Sequence, residues 1–377
     1  MKIAYIRITP LCIPMKIPYK FSFGRKLDAT VNLIEFEAEN GTIGYGETPT
    51  APDADAQKIV LERMSKHFVG HSVYDYARDS LEAYRTNFLV WGAPMPRYFN
   101  QMISGFEMAA LDLQGKLLGL PVWDLLGGQV REEVGYFYIL QGGTIEELAQ
   151  HAAKGVAAGE PVFYMKAGLG YDYDLASVKA IREVIGDNRL RLDPNEAWNP
   201  ETYMRMIKAL EPYNVECIEQ PTASASLAAL KHVTQRSPIA TGADQSVFTL
   251  HEVYRACETR AADMICVGHR DLGGLRQMIK AAAIVEGAGL TLNIHASSVT
   301  TGISTCAEHH VGRAIPNLDD GNQMLVHLLK DNIIKNPALT PIKGKLALED
   351  KPGLGFDLDY EVVKDAKARH IANRAEG

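Results

Sequence analysis

The chain has 377 residues, 46% of them hydrophobic, a length and composition that exceed the usual single core and favour two lobes. A net charge of −7 with charges of both signs interspersed leaves no basic footprint for nucleic acid, and no stretch approaches the ~18 apolar residues of a membrane span. The five cysteines (Cys12, Cys217, Cys257, Cys266, Cys306) form no CxxC pair, and the odd count argues against a disulfide framework, so a reducing cytoplasm is the expected setting.

Residues 1 to about 60 alternate β-like runs (KIAYIRITPLCI, ATVNLIEFEAENG, TIGYGE) with turn residues, and Glu39-Asn40-Gly41 is a hairpin signal. The opening MKIAYIRITPLCIPMKIPYK is broken by Arg7, Pro10, Pro14 and Lys16, so it lacks the apolar core of a signal peptide. Helical periodicity follows in AQKIVLERMSKHFVG and ISGFEMAALDLQGKLLG. These features predict an α+β lobe over residues 1–125, rejoined by the C-terminal segment 340–377. From Val134 to about Asn317 strands alternate with helices, among them NPETYMRMIKALEPY, where Asn199 can cap and Pro200 takes the first turn. Residues 126–339 are therefore predicted to form a parallel (β/α) barrel.

The barrel's rhythm carries the chemistry. Asp193, Glu219 and Asp244 stand 26 and 25 residues apart, each where a short apolar run turns polar. A strand with its return helix takes about 25 residues when eight such units share about 200 residues, which puts each acid at the C-terminal mouth of a successive strand. Stepping back gives Lys166 and Gln141, and stepping forward gives Gly268 and His295, so seven strand ends are marked. Three converging carboxylates suit Mg²⁺, with Mn²⁺ as the alternative ion. Residues i and i+2 of a strand share a face, so Tyr164 and Lys166 point into the barrel together, as do Asp193 and Asn195. A lysine beside a cation and partly desolvated is expected to have its pKa lowered and to act as a base. A salt-bridged surface lysine is the bland alternative for Lys166, and an aromatic barrel filler the bland alternative for Tyr164.

The runs GYGETPT, FEMAALDLQGKLLGLPVWDLLGG, YMKAG, LDPNEAW, IEQP, GADQS, DLGGL and PGLGFDLD together resemble the enolase superfamily, in its mandelate racemase and muconate lactonizing branch, over nearly the whole chain. That resemblance implies a modified TIM-like (β/α) barrel with an α+β N-terminal capping domain, Mg²⁺ on Asp193, Glu219 and Asp244, and abstraction of a proton α to a carboxylate with enediolate stabilisation. It also implies a small carboxylate substrate and, from the family's habit of assembly, a homo-oligomer. The chain departs from the pattern in three places: Tyr164 stands for the first lysine of K-x-K, Gln245 for the glutamate of DES, and Gly268 for either a second lysine or an aspartate. His295 fits the place of the racemase histidine, and a one-residue shift would present His269 instead.

Lys166, Tyr164 and His295 are accordingly the candidate acid/base residues, and Asn195, Gln141, Glu47 and Arg25 the candidate substrate contacts. Arg25 is the candidate for meeting a second anionic group, on a capping loop with Phe21 and Phe23. His309 and His310 are expected on a helix after the seventh strand, pointing about 100° apart and away from the metal. One strong base suffices for elimination of a β-hydroxyl in a hydroxy acid dehydratase-type reaction, which the missing second lysine favours. A racemase, epimerase or cycloisomerase is the alternative, and a non-catalytic metal-stabilised barrel is a third reading.

Overall fold

The computed structural model describes residues 1–49, 53–87, 96–296 and 299–376; Thr50 of the GYGETPT run, and Ser297 and Ser298 after His295, lie outside them. The first lobe opens with an antiparallel three-stranded sheet, β1 (Ile3–Phe21), β2 (Gly24–Ala38) and β3 (Ile43–Pro49). The turn between β2 and β3 holds Gly41 at φ +81°, the left-handed conformation that glycine adopts without steric cost. Helices α1 (Ala54–Ser65), α2 (Tyr76–Thr86), α3 (Pro96–Leu118) and α4 (Val122–Leu125) follow. The lobe's own core centres on Phe36, Phe68 and Phe106, whose rings meet edge-on at 5.4 Å for Phe36–Phe106 and 5.3 Å for Phe68–Phe106.

The barrel follows as β4 (Glu133–Gly135), β5 (Tyr138–Ile139), α5 (Ile145–Ala158), β6 (Val162–Lys166), α6 (Tyr171–Ile185), β7 (Arg189–Asp193), α7 (Pro200–Leu210), β8 (Cys217–Glu219), α8 (Leu227–Thr234), β9 (Ala240–Ala243), α9 (Leu250–Thr259), β10 (Met264–Val267), α10 (His269–Leu272), α11 (Leu275–Gly287), β11 (Thr291–Ile294) and α12 (Gly302–Ala314). Strands β5 to β11 form one parallel seven-stranded sheet in sequence order. Asn199 caps α7 as its side chain accepts from Thr202 N at 2.8 Å.

The wall is closed by a segment outside the named strands. Asp319 N donates to Leu292 O at 2.9 Å on one side, and Phe137 N donates to Asn322 O at 3.1 Å on the other. Arg191, buried inside the barrel, fixes this segment by donating to Gly321 O at 3.1 Å and pairing with Asp319, while its Nε donates to Glu216 at 2.8 Å. A buried guanidinium with several acceptors is stable only as a complete network, so this clamp ties β7 to the closing segment.

After β12 (Ile334–Asn336), β13 (Lys345–Ala347) and β14 (Asp357–Leu358), the last helix α13 (Tyr360–Glu376) returns to the first lobe. There His370 Nε2 lies 3.1 Å from Asp55 Oδ2, and the hydroxyls of Tyr360 and Tyr45 meet at 2.7 Å.

The first lobe holds together by close backbone contact between β3 and α3. A Cβ on Gly46 would stand 2.1 Å from Gly105 O and 2.8 Å from Ala109 N. Both neighbours are backbone, which cannot swing aside. Gly46→Ala is therefore expected to destabilise the protein by about 1–3 kcal/mol, as overpacking does, seen as a lowered midpoint in thermal unfolding.

Candidate active site

Register delivers the site. Lys166 and Asp193 are direct partners across β6 and β7, and Glu219 ends β8 opposite Gly242 of β9. Asp244 and His295 each stand one residue beyond their strands, β9 and β11, and His295 is held by its backbone N–H on Val267 O at 2.9 Å. The mouth is bent by residues in the left-handed region, Asn195 (φ 42°), Glu196 (φ 67°) and Gln220 (φ 35°), immediately after the acid-bearing strand ends. Such conformations cost energy in non-glycine residues and cluster where a side chain must be aimed.

At the floor, Asp193, Glu219 and Asp244 are all buried. Lys166 Nζ forms a short ion pair with Asp193 Oδ2 and donates to Asn195 Oδ1 at 2.9 Å. Tyr164 donates its hydroxyl to the same Asp193 oxygen at 2.6 Å, and Asn195 N donates to Asp193 Oδ1 at 2.8 Å. Glu219, Asp244 and His295 offer ligand atoms within 4.8 Å of one another. Asp193 completes the acidic cluster by charge but turns its oxygens to Lys166, Tyr164 and the Asn195 amide. Gln220, which the sequence reading passed over, has its Oε1 accept from Asp244 N at 2.9 Å and Ser246 N at 3.2 Å, so its amide positions the third acid.

The electrostatics follow from this crowding. Burial, and next the charge of Asp193, push Glu219 up to about 8, against the pull of Lys166 and Arg191. Asp244 rises well above the usual carboxylate range through burial and then Glu219. Burial alone would lower Lys166, but Asp193, Tyr19 and Glu219 together outweigh it, and the net shift from the protein's own groups is upward, opposite to the direction expected for this lysine beside a cation. Burial, then Arg270 and Lys166, bring His295 down to about 3.

This donor set fits a divalent cation. Three carboxylates cannot stay charged together in a buried site without compensating positive charge, and Asp244 Oδ2 is buried with no hydrogen-bond partner among the described residues. Oxygen donors with one imidazole beside them suit Mg²⁺ or Mn²⁺.

Above the floor opens a cavity of about 340 Å³ whose lining includes Lys166, Asn195, His295, Gln245, Arg270 and Lys26, with Tyr19, Phe21, Phe23 and Phe248 among its aromatic walls. Phe21 and Phe23 thus reach the mouth, as their loop position suggested. Several other candidates do not line it. Tyr164 is fully buried, stacked on Phe137 at 4.1 Å, with its hydroxyl on Asp193 and outside the lining. Glu47 is buried, and its Oε1 accepts from Thr301 N at 3.0 Å and Ser304 N at 2.9 Å, capping α12 across the lobe boundary. Arg25 is exposed and outside the lining, because it is one residue out of phase with the inward face. Gln141 also lies outside it, its backbone N–H donating to His151 Nδ1 at 3.3 Å. His269 is buried against Glu308 at 3.4 Å, and Arg270 takes the place in the cavity that a shift was expected to give His269. On α12, His310 accepts from Trp123 N at 3.2 Å and His309 meets the Tyr136 hydroxyl at 3.1 Å, both away from the acids. Tyr19, Lys26, Phe248, Arg270 and Gln323 were not anticipated in the lining; the alternation of β1 and β2 was the available signal for Tyr19 and Lys26.

Family models decide the affiliation: residues 4–127 match the mandelate racemase / muconate lactonizing enzyme N-terminal domain, and residues 147–362 match the enolase C-terminal domain-like family. The chain belongs to the mandelate racemase / muconate lactonizing enzyme branch of the enolase superfamily. As a member of the enolase superfamily it is an enzyme, and its relatives catalyse different reactions. A chloromuconate cycloisomerase from Cupriavidus pinatubonensis is 29% identical over 93% of this chain and 95% of its own. A protein named as a probable glucarate dehydratase from Streptomyces coelicolor is 29% identical over 87% of this chain and 82% of its own. The crystal structure of a dipeptide epimerase from Enterococcus faecalis, complexed with Mg and the dipeptide L-Leu-L-Tyr, superposes with a TM-score of 0.86 at 26% identity, covering 95% of this chain and 100% of that one.

The raised Glu219 gives this enolase-superfamily enzyme a signed pH dependence. A carboxyl at about 8 when folded and near 4.5 when unfolded binds more protons in the folded state between those values, so stability falls as pH rises through that window. Chelator-treated protein should therefore melt at a lower temperature at pH 8 than at pH 5.5. The thermal shift on adding MgCl₂ should grow over the same interval, because the cation displaces that proton. Glu219→Gln should flatten both trends.

Proposed function

We propose that the protein removes the proton α to a substrate carboxylate in a Mg²⁺-dependent reaction, with Lys166 as the base, and that β-elimination of a hydroxyl follows, as in hydroxy acid dehydration. The observation that carries this reading is the position of Lys166 Nζ, in the cavity lining and hydrogen-bonded between Asp193 and Asn195 at the edge of the acidic cluster. Asp193, Glu219 and Asp244 would hold the cation. Bound there, it would supply positive charge to the carboxylate oxygens on which charge accumulates when the α-proton leaves.

The chain's own residues account for the rest. Asn195 and Asp193 fix the amine's direction, and Tyr164 shares the Asp193 oxygen, so the basicity of Lys166 follows the charge left on Asp193. Gln245 lines the cavity with a buried Oε1 that has no partner among the described residues, an acceptor suited to a substrate hydroxyl or N–H. The aromatic walls limit water, which strengthens every charge interaction at the floor. No side chain extends from Gly268, just past the end of β10, so the amine has no amine counterpart there. Elimination needs only the one base, which supports it over two-lysine racemisation.

One observation favours a second reading. His295 lines the same cavity from β11, with Nδ1 3.5 Å from Asp244 Oδ1, and a lysine with a histidine across the substrate would suffice for racemisation or epimerisation.

The deciding experiment incubates the purified enzyme with MgCl₂ and a library of carboxylic acids in D₂O, read by mass spectrometry. Loss of water from a hydroxy acid supports elimination; gain of one deuterium without loss of water overturns it in favour of racemisation. Lys166→Ala should reduce either signal by about 10³-fold or more, the scale of removing a positioned base. In chelated protein, Asp193→Asn should move the Lys166 pKa downward, followed by NMR of the ¹³C-methylated amine, because Asp193 is the largest of the causes that raise it against burial.

A further inference from the structure

Among the described residues that line the cavity, Tyr19 alone carries a hydroxyl. It comes from the covering hairpin and not from the barrel. Strand β1 is irregular between Pro14 and Tyr19 and resumes its pairing with β2 at Tyr19–Lys26, and an irregularity of this kind re-aims the side chains that follow it. The segment is tied down on both sides of Tyr19. Before it, Lys330 N donates to Pro14 O at 2.9 Å and Lys16 Nζ to His327 O at 2.8 Å; after it, Ser22 Oγ donates to Asn195 O at 3.0 Å.

The phenol stands beside the base. Lys166 Nζ lies 5.8 Å from the centroid of the Tyr19 ring, and charge and a side-chain hydrogen-bonding contact link the two groups. Burial, the largest influence, raises the Tyr19 hydroxyl above its ordinary range, so it carries its proton when substrate arrives. The amides of Asn195, Gln245 and Gln323 and the guanidinium of Arg270 release no proton at neutral pH. The competing proton donors in the lining are His295, whose Nδ1 lies 3.5 Å from Asp244 Oδ1, and Lys26 on β2. Only Tyr19 is placed against the amine, where a base and an acid side by side serve one face of a bound molecule.

We propose that Tyr19 is a catalytic residue, the general acid that protonates the β-hydroxyl as it leaves. The assignment rests on the proposed function for the α-proton step. Lys166 takes the α-proton, and the electrons of that C–H bond form the new double bond to the β-carbon. The C–O bond at the β-carbon breaks, its electron pair leaves with the oxygen, and the phenol proton completes a water molecule. The Lys166 ammonium then gives a proton to the tyrosinate oxygen, so both side chains end as they began and no further reactant is consumed.

Tyr19→Phe keeps the ring in the hairpin and removes only its oxygen. Wild-type enzyme, Tyr19→Phe, His295→Gln and Lys26→Gln are incubated in D₂O and MgCl₂ with erythronate, threonate, arabinonate and xylonate, and mass spectrometry follows loss of water and the deuterium content of the unreacted acid. Tyr19→Phe should cut loss of water by about 10²-fold or more, the scale of a positioned acid. Deuterium should meanwhile accumulate at the α-carbon of the unreacted acid faster than with wild type, because Lys166 still removes the proton. Loss of water by Tyr19→Phe within about threefold of wild type overturns the assignment and leaves the proposed function standing. So does an equal fall in both signals, or their separation in His295→Gln or Lys26→Gln in place of Tyr19→Phe. Wild-type exchange without loss of water, or neither signal from any of the four acids, overturns the proposed elimination and the acid role of Tyr19 with it.

Discussion

The structure depends on the burial of three carboxylates side by side. Asp193, Glu219 and Asp244 end successive strands, each nearly or wholly removed from water, and a low-dielectric site magnifies their mutual repulsion. Much of the surrounding architecture answers that repulsion. Lys166 supplies one positive charge, Tyr164 and the Asn195 amide give hydrogen bonds to Asp193, and Gln220 fastens the Asp244 backbone with an amide whose donor and acceptor ends are both used. The left-handed residues after β7 and β8 have the same origin. A regular strand continuation would carry the chain away from the axis, and the sharp bend keeps the acid at the axis while its successor leaves.

The first lobe is tied to this arrangement at its most sensitive point. Asn195 accepts from Lys166 through its side-chain oxygen and from Ser22 Oγ through its carbonyl at 3.0 Å, so one residue orients the amine and anchors the hairpin that covers it. Glu47 adds a second tie by capping α12. A carboxylate at a helix N-terminus is favoured by the helix dipole and the open N–H groups, which offsets the burial that raises its pKa. The cover is thus registered against the floor by polar bonds of fixed length. The apolar contacts elsewhere in the lobe boundary could slide; these could not.

How much of this was legible in the sequence depended on whether a residue's place follows from period alone. Strand ends at Lys166, Asp193 and Glu219 did, and Asp244 and His295 fell one residue past theirs, because a 25-residue repeat fixes where chains emerge from a barrel. Facing was harder. Arg25 and Lys26 differ by one position, and a strand's alternation sends one outward and the other into the cavity; only the pairing of Lys26 with Tyr19 decides between them. Inward direction was correct for Tyr164, which sits one pleat below Lys166, buried and outside the cavity lining, with its hydroxyl on Asp193. The direction of the Lys166 shift was hard to read for a related reason: burial, the largest single cause, pulls it down, yet the charges of Asp193, Tyr19 and Glu219 together exceed that pull when no cation is beside the amine. Glu47 was legible as a polar residue at a strand end but not as a cap, because α12 lies more than 250 residues later in the chain.

The asymmetry across the cavity also has a local cause. β10 ends at Val267, and Gly268 immediately caps a four-residue helix, so no side chain extends from the position just past the strand. Successive helical residues diverge by about 100°, which turns His269 inward against Glu308 and leaves Arg270 facing the cavity. The position just past the strand thereby carries no base, and Arg270, two residues on, faces the cavity from the short helix. A single glycine removes the side chain just past the strand, and the short helix it starts turns Arg270 to the cavity.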